Sequence, residues 1–237
     1  MGKVICVGLG PGDPELMSLR AARHLENARH VAYFCKRGGR GHARTIAEGR
    51  LPSDVLEYPM EYPVTTEIPV EDPRYGTLLS AFYAEWADRI AKTAQHSDVV
   101  VLCEGDPFFY GSFMHLHSRL QNRADIEIVP GITGMSGCWT QTGMPIAWGD
   151  DVLTILMATL PEEELRRRIA DADALVVMKI GRNLGKLKRA MRAAGRLDKA
   201  WLIERGTMTG QKVGRLIDAV AAPYFSIAVI HGERRRP

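Results

Sequence analysis

The sequence predicts an α/β protein of two domains, an N-terminal parallel sheet followed by a smaller C-terminal mixed sheet. Three observations carry this reading. Val99-Val-Val-Leu102 is a run of four large apolar residues without polar alternation. It is too short for a helix and too uniform for a half-exposed strand, so it reads as a strand covered on both faces by helices. Further short apolar runs, at Lys3–Val7, Val31–Phe34, Val55–Leu56 and Ile126–Val129, alternate with helical or loop segments up to residue 143. That alternation is the pattern of a complete parallel α/β domain. After a turn-rich stretch, strand patterns resume at Val152–Leu156, Ala174–Met178, Ala200–Ile203 and Phe225–Ile230, with Gln211–Leu216 as an antiparallel partner. The domains are therefore expected at 1–143 and 152–237, with 144–151 as linker.

The composition of the 237-residue chain is that of a globular protein, with 46% apolar and 25% charged residues. A net charge of +3 is too balanced to point to nucleic acid. Cys6, Cys35, Cys103 and Cys138 are scattered without metal-ligand or redox spacing, which favours free thiols in a cytoplasmic protein. No apolar run reaches membrane-spanning length and no signal peptide is expected. No metal is expected either, because His115 and His117 lie two apart on a helix and face different directions.

In chain order, the first strand runs into Gly8-Leu-Gly-Pro-Gly-Asp-Pro-Glu-Leu16. Asp13 is one candidate helix cap, with Pro14 behind it, and Ser18 is another, with Leu19, Ala22 and Leu25 on one face. The loop invites comparison with a dinucleotide-binding fingerprint, but Asp13 stands where the third glycine belongs and Pro11 removes a backbone donor. No acid follows the second strand to hold a ribose. Lys36-Arg-Gly-Gly-Arg-Gly-His-Ala-Arg44 stands there instead, the densest basic loop in the chain, suited to an anionic small molecule or simply to water. The stretch from Tyr58 to Pro73 carries Pro59, Pro63, Pro69 and Pro73, and reads as an irregular lid or binding loop. Leu79, Phe82, Trp86 and Ile90 recur at helical spacing and are taken as core. The central strand ends in Glu104-Gly-Asp-Pro107, followed by Phe108-Phe-Tyr-Gly-Ser112 and a helix. Ligands of open α/β sheets bind beyond such strand ends. Val129-Pro-Gly-Ile-Thr133 closes the next strand, with Thr133 as cap of a short helix. Basic triplets at Arg166–Arg168 and Arg234–Arg236 read as solvated surface.

Taken in register, the loops Gly8–Leu16, Glu104–Pro107, Val129–Thr133 and Glu204-Arg-Gly-Thr-Met-Thr-Gly-Gln211 resemble those of the tetrapyrrole (corrin and sirohaem) methyltransferases over nearly the whole chain. The segments Tyr58–Met60, Phe108–Ser112 and Cys138–Asp151 are more similar to a corrin-forming branch than to the uroporphyrinogen-III branch. The resemblance implies S-adenosylmethionine bound in a cleft between the two domains, S-adenosylhomocysteine as product, an anionic tetrapyrrole as substrate, and a homodimer. It places Pro11, Gly105, Asp106, Phe109, Thr133, Gly134 and Gly206 at the cofactor, with Lys179 and Tyr224 as further contacts. It turns Gly12 and Asp13 toward the substrate, whose carboxylates give Arg37, Arg40 and also Arg20 a reason for their charge. Because a sulfonium methyl is already electrophilic, catalysis is expected to rest on positioning, with Glu104 or a buried Lys179 as base for the departing proton. A metal-free and a cobalt-containing substrate both stay open. Two other classes remain: an NADP-dependent oxidoreductase using the first glycine loop with Arg37 or Arg40, and an RNA-binding module using the basic loop.

Overall fold

The central apolar run forms strand β4 (Val99–Cys103), and all five of its residues are buried. Its odd residues, Val99, Val101 and Cys103, join one hydrophobic cluster, while Val100 and Leu102 join another on the opposite face. Each fully buried Val or Leu contributes about 1.5–3 kcal/mol by leaving water. The computed structural model describes residues 2–65, 67–68 and 72–233; Pro69 and the Arg234–Arg236 triplet lie outside the described residues. Two compact units divide the chain, Met1–Thr133 and Gly134–Pro237.

In the first unit, β1 (Lys3–Gly8), β2 (His30–Cys35), β3 (Leu56–Glu61), β4 and β5 (Asp125–Val129) form one five-stranded sheet in the order β3-β2-β4-β1-β5. Every pairing is parallel. Helices α1 (Leu19–Glu26) and α2 (His42–Ile46) cover one face through Ala21, Leu25, Ala43 and Ile46. Helices α3 (Pro73–Ala94) and α4 (Phe113–Leu120) cover the other through Phe82, Trp86, Ile90, Phe113 and Leu116. Both candidate caps near the first helix are used. Asp13 accepts from Glu15 N at 2.9 Å to start a 3-10 turn, and Ser18 accepts from Ala21 N at 3.1 Å to start α1. Leu19, expected on the core face, is 83% exposed, because the helix turns Ala21 and Leu25 inward instead.

The proline-rich stretch is more regular than the sequence implies. Tyr58, Pro59 and Met60 belong to β3, and Pro59 pairs with Tyr33. Because β3 is the edge strand, the N–H that Pro59 lacks is not needed by a further neighbour.

In the second unit, β6 (Leu153–Met157), β7 (Ala174–Met178), β8 (Trp201–Glu204), β9 (Lys212–Arg215) and β10 (Ser226–Ile230) form a mixed sheet in the order β6-β7-β10-β8-β9. The expected hairpin of β8 with β9 is present and antiparallel. Helices α6 (Glu162–Asp171) and α7 (Leu184–Ala193) pack Leu165, Ile169, Leu187 and Met191 on one face. The basic triplet of α6 is laced to Glu163 and Glu164 by i,i+3 and i,i+4 pairs.

Helix α5 (Gly134–Trp139) covers the other face, where Cys138 packs against Val176, Ile203, Ile227 and Val229. This packing puts the division of the chain at 133/134, whereas the sequence pattern placed α5 in the first domain. The stretch taken as linker is also tied into the second unit: Gly232 N donates to Ile146 O at 2.9 Å, and Trp148 N donates to Asp151 Oδ2 at 2.8 Å.

Gly206 fits α5 against β8 because it has no side chain. A Cβ there would lie 2.6 Å from Cys138 Sγ and 3.1 Å from Cys138 Cα. Gly206→Ala should therefore lower stability by about 1–3 kcal/mol. Adding Cys138→Ala should recover part of the loss in thermal unfolding, and a Gly206→Ala variant as stable as wild type would contradict this packing.

Candidate active site

The parallel register brings the carboxyl ends of β4, β1 and β5 side by side, and the loops leaving them touch backbone to backbone. Leu9 N donates to Cys103 O at 2.9 Å, and Gly105 N donates to Gly10 O at 2.8 Å, forming an isolated bridge beyond the sheet. A Cβ on Gly8 would lie 2.6 Å from Gly131 N and 2.7 Å from Gly105 O. A Cβ on Gly131 would overlap the Gly105 carbonyl oxygen and lie 2.8 Å from Gly8 C. Gly105 also has φ of +60°, where side chains are disfavoured. The glycines of the first loop thus serve close contact with two neighbouring loops, which explains the poor match to a dinucleotide fingerprint.

Asp106 closes this junction. Its Oδ1 accepts from Phe108 N at 2.9 Å and its Oδ2 accepts from Gly131 N at 3.1 Å. Hydrogen bonds to a charged group of this kind contribute about 1.5–3 kcal/mol each. Both oxygens of the expected cofactor ligand therefore hold the loops together. Pro11 is buried directly after the Gly10 bridge, and Gly12 is half-buried beside it. Asp13 is committed to its helix start. Phe109 is half-buried, with Tyr110 edge-on at 4.9 Å, and Thr133 is half-buried at the end of the unit.

The second unit gathers its own set. Strand β10 runs antiparallel between β7 and β8, so its start lies beside their ends, and Arg205 N donates to Phe225 O at 2.7 Å. Lys179, Gly206 and Tyr224 consequently come to one edge of this sheet. Three non-glycine residues at that edge have positive φ, Lys179 at 55°, Arg205 at 50° and Thr207 at 67°. Such conformations cost on the order of 1–3 kcal/mol each and concentrate at functional sites. Lys179 is exposed, not buried as the sequence reading required of a base. Tyr224 is 84% exposed. Gly134 opens α5, and a Cβ there would meet nothing within 4 Å.

The basic loop divides in two. Arg44, counted among its charges in the sequence, turns inward and donates to both carboxylate oxygens of Glu57, at 2.9 and 2.7 Å. Those hydrogen bonds hold Glu57 below the usual carboxylate range, while burial, then the bond to Glu57, push the Tyr33 hydroxyl up to about 12. Lys36, Arg37 and Arg40 stay exposed, with Arg40 Nη1 2.9 Å from Glu48 Oε1. Arg20 is paired with Glu127, as is His24.

Glu104 stands at the end of β4. Its side chain keeps 35% exposure as a whole, but Oε1 is covered and has no hydrogen-bond partner among the described residues. Burial raises this carboxyl from 4.5 to about 7. The Nδ1 atom of His42, at the start of α2, lies 3.9 Å away. His42 went unnoticed in the sequence because the surrounding glycines and arginines read as one solvated basic run; the Gly41-His42 step at a helix start was the available signal.

Among the described residues, no group of three His, Cys, Asp or Glu could hold a metal, and no helix is long and apolar enough to cross a membrane.

Glycine loops meeting at the strand ends of a parallel sheet, beside the Glu104 carboxyl, define an α/β enzyme fold with a strand-end surface built mainly of backbone. The chain belongs to the Tetrapyrrole (Corrin/Porphyrin) Methylases, whose family pattern matches residues 3–217. It is 49% identical to a Precorrin-2 C(20)-methyltransferase from Sinorhizobium sp., covering 100% of this chain and 98% of that protein. A Cobalt-precorrin-2 C(20)-methyltransferase from Salmonella typhimurium is 25% identical, covering 97% and 96%. The fold is that of the Uroporphyrin-III C-methyl transferase from Thermus thermophilus, solved with S-adenyl homocysteine, at TM-score 0.68 and 22% identity, covering 97% of each chain.

The raised Glu104 carboxyl has a stability consequence. In the unfolded chain it titrates near 4.5, so between there and about 7 the folded state binds more protons and stability falls as pH rises. Glu104→Gln cannot ionise. It should melt above wild type at pH values beyond 7, and this advantage should shrink as pH falls toward 4.5. A melting difference independent of pH would show that Glu104 is not ionised against burial.

Proposed function

We propose that this chain transfers the methyl group of S-adenosylmethionine to C20 of precorrin-2 in cobalamin biosynthesis, giving precorrin-3A and S-adenosylhomocysteine. The observation that carries this reading is the full-length likeness to the Sinorhizobium enzyme. The residues present suit the cofactor. The open space over Gly134 leaves backbone accessible to a ligand, and the covered Glu104 Oε1, unpartnered among the described residues, favours a cationic or proton-donating neighbour.

The cofactor supplies a methyl group already activated for transfer, so the chain needs no nucleophile of its own. Pro11, Gly105, Asp106, Phe109 and Thr133 in the first unit, and Gly134, Lys179, Gly206 and Tyr224 in the second, are the proposed cofactor contacts. Asp106 acts by fixing the backbone of the Gly105 and Gly131 turns. Holding two reactants at near-attack distance is the larger contribution in such reactions. Gly12, Asp13, Arg37 and Arg40 are proposed to face the tetrapyrrole, with Arg37 and Arg40 meeting its carboxylates. Glu104 is the proposed base. Its carboxylate form takes the proton that the substrate carbon loses, and a pKa of about 7 suits proton transfer at neutral pH. The protein is proposed to work in the cytoplasm as a homodimer, with no nucleic-acid partner.

Incubation of precorrin-2 with S-adenosylmethionine carrying a carbon-13 methyl group, under anaerobic conditions, tests the function. The label should appear at C20 by NMR, with S-adenosylhomocysteine formed in equal amount. A parallel reaction with cobalt-precorrin-2 distinguishes the Salmonella-type substrate. Label at another carbon, or no product from either tetrapyrrole, would overturn the proposal.

A further inference from the structure

A base that takes up a proton in each turnover needs a way to release it. The structure offers one at the start of α2. Glu104 Oε1 is covered and without a hydrogen-bond partner among the described residues, while the His42 side chain, 3.9 Å away through Nδ1, is 59% exposed. We infer that His42 receives from the Glu104 carboxyl the proton released on methylation and passes it to solvent. This rests on the proposed role of Glu104 as base.

His42 is held firmly in this position although it adjoins a glycine-rich run. Gly41 has φ of +74°, and a Cβ on it would overlap the Phe34 carbonyl oxygen and lie 3.2 Å from Cys35 Cβ, so the chain here lies directly against the end of β2. Thr45 N and Oγ1 both donate to Gly41 O, at 3.2 and 3.1 Å. Ala43 and Ile46 are buried against Val100 and Leu102 of β4, the strand that carries Glu104. Arg44 clamps the helix to Glu57 of β3 through two hydrogen bonds. The backbone of His42 is thus fixed over the neighbouring strand end. Closing to hydrogen-bond distance takes about 1 Å, within reach of a side-chain rotation.

The step balances. The meso carbon forms a bond to the methyl group as the methyl–sulfur bond breaks, with that electron pair staying on sulfur. The C–H bond then breaks, its pair returns to the ring, and the proton goes to the Glu104 carboxylate. Transfer from Glu104 to His42 Nδ1, and from the imidazole to water, restores both groups and releases one proton per turnover. The titratable groups on the surrounding segments are Cys6 of β1, Asp13 after β1, His42 of α2, and Cys103 and Asp106 beside Glu104. Asp13 and Asp106 are each committed to a loop N–H, and the two thiols face each other at 3.4 Å. His42 is the group of this set within ion-pair distance of Glu104.

His42→Ala, His42→Gln and Glu104→Gln test this against wild type, with kcat and KM measured across pH, S-adenosylhomocysteine affinity measured by calorimetry as a control for folding, and His42 titrated by NMR. Loss of His42 should lower kcat about 10- to 100-fold at constant KM. Free imidazole should restore part of the kcat of His42→Ala but none of that of Glu104→Gln. In the NMR titration, Glu104→Gln should move the His42 transition to lower pH, because an ionised carboxylate beside it favours the imidazolium. A wild-type kcat in His42→Ala, a raised KM with unchanged kcat, or no rescue by imidazole would overturn the relay while leaving Glu104 as base if Glu104→Gln is impaired. A wild-type kcat in Glu104→Gln would remove the base, and the relay with it.

Discussion

The junction of Gly8, Gly105 and Gly131 is the constraint on which the first unit depends. Three chain segments leave adjacent parallel strands and approach so closely that a Cβ on Gly8 or Gly131 would strike the backbone of a neighbouring loop. The approach follows from the register, which sets Gly8 beside Cys103 and Val7 beside Val129. Asp106 then joins two of the loops by accepting from Phe108 N and Gly131 N. Because the contacts are between backbones, the shape of this strand-end surface is set by the positions of glycines and one carboxylate. The side chains around it, Phe109, Tyr110 and Thr133, are carried on a base that cannot shift independently.

Two partly buried charges of the first unit are treated differently. Arg44 is enclosed and held by a two-pronged bond from Nε and Nη2 to Glu57, while its Nη1 is covered without a partner among the described residues, so it serves to fix α2 on the sheet. Glu104 Oε1 is enclosed without a hydrogen bond among the described residues, and burial raises its carboxyl to about 7. Breaking a matched pair is costly because it strands the other charge, whereas an unmatched acid is already destabilised in its ionised form. Perturbed acids of this kind concentrate at functional sites, which supports the role proposed for Glu104.

Much of the fold was legible because its signals are local. The uninterrupted Val99–Leu102 run could only be a strand buried on both faces, and the hairpin of β8 and β9 followed from a polar turn between two apolar segments. The Glu104–Pro107 and Val129–Thr133 turns were legible as strand-end loops for the same reason. Other features depend on neighbours distant in the chain. Pro59 looks like a strand breaker until β3 is known to be an edge. The short helix α5 has no pattern showing which sheet it joins, and the packing of Cys138 against Ile203 and Val229 decides it. Arg44 reads as one more loop charge, and its partner Glu57 lies 13 residues on. His42 was hidden likewise, since its meaning depends on Glu104, which the β2–β4 pairing brings beside it.

The central claim is that backbone loops locked by Asp106 form the cofactor-binding surface of a tetrapyrrole methylase. The most direct measurement is the affinity for S-adenosylhomocysteine, by calorimetry, of wild type and of Asp106→Ala, with circular dichroism to confirm that both are folded. The account predicts binding by wild type and a loss of at least about tenfold in the variant, since freeing the Gly105 and Gly131 turns removes about 1.5–3 kcal/mol of preorganising interaction per hydrogen bond. A folded Asp106→Ala protein that binds S-adenosylhomocysteine as tightly as wild type would contradict it.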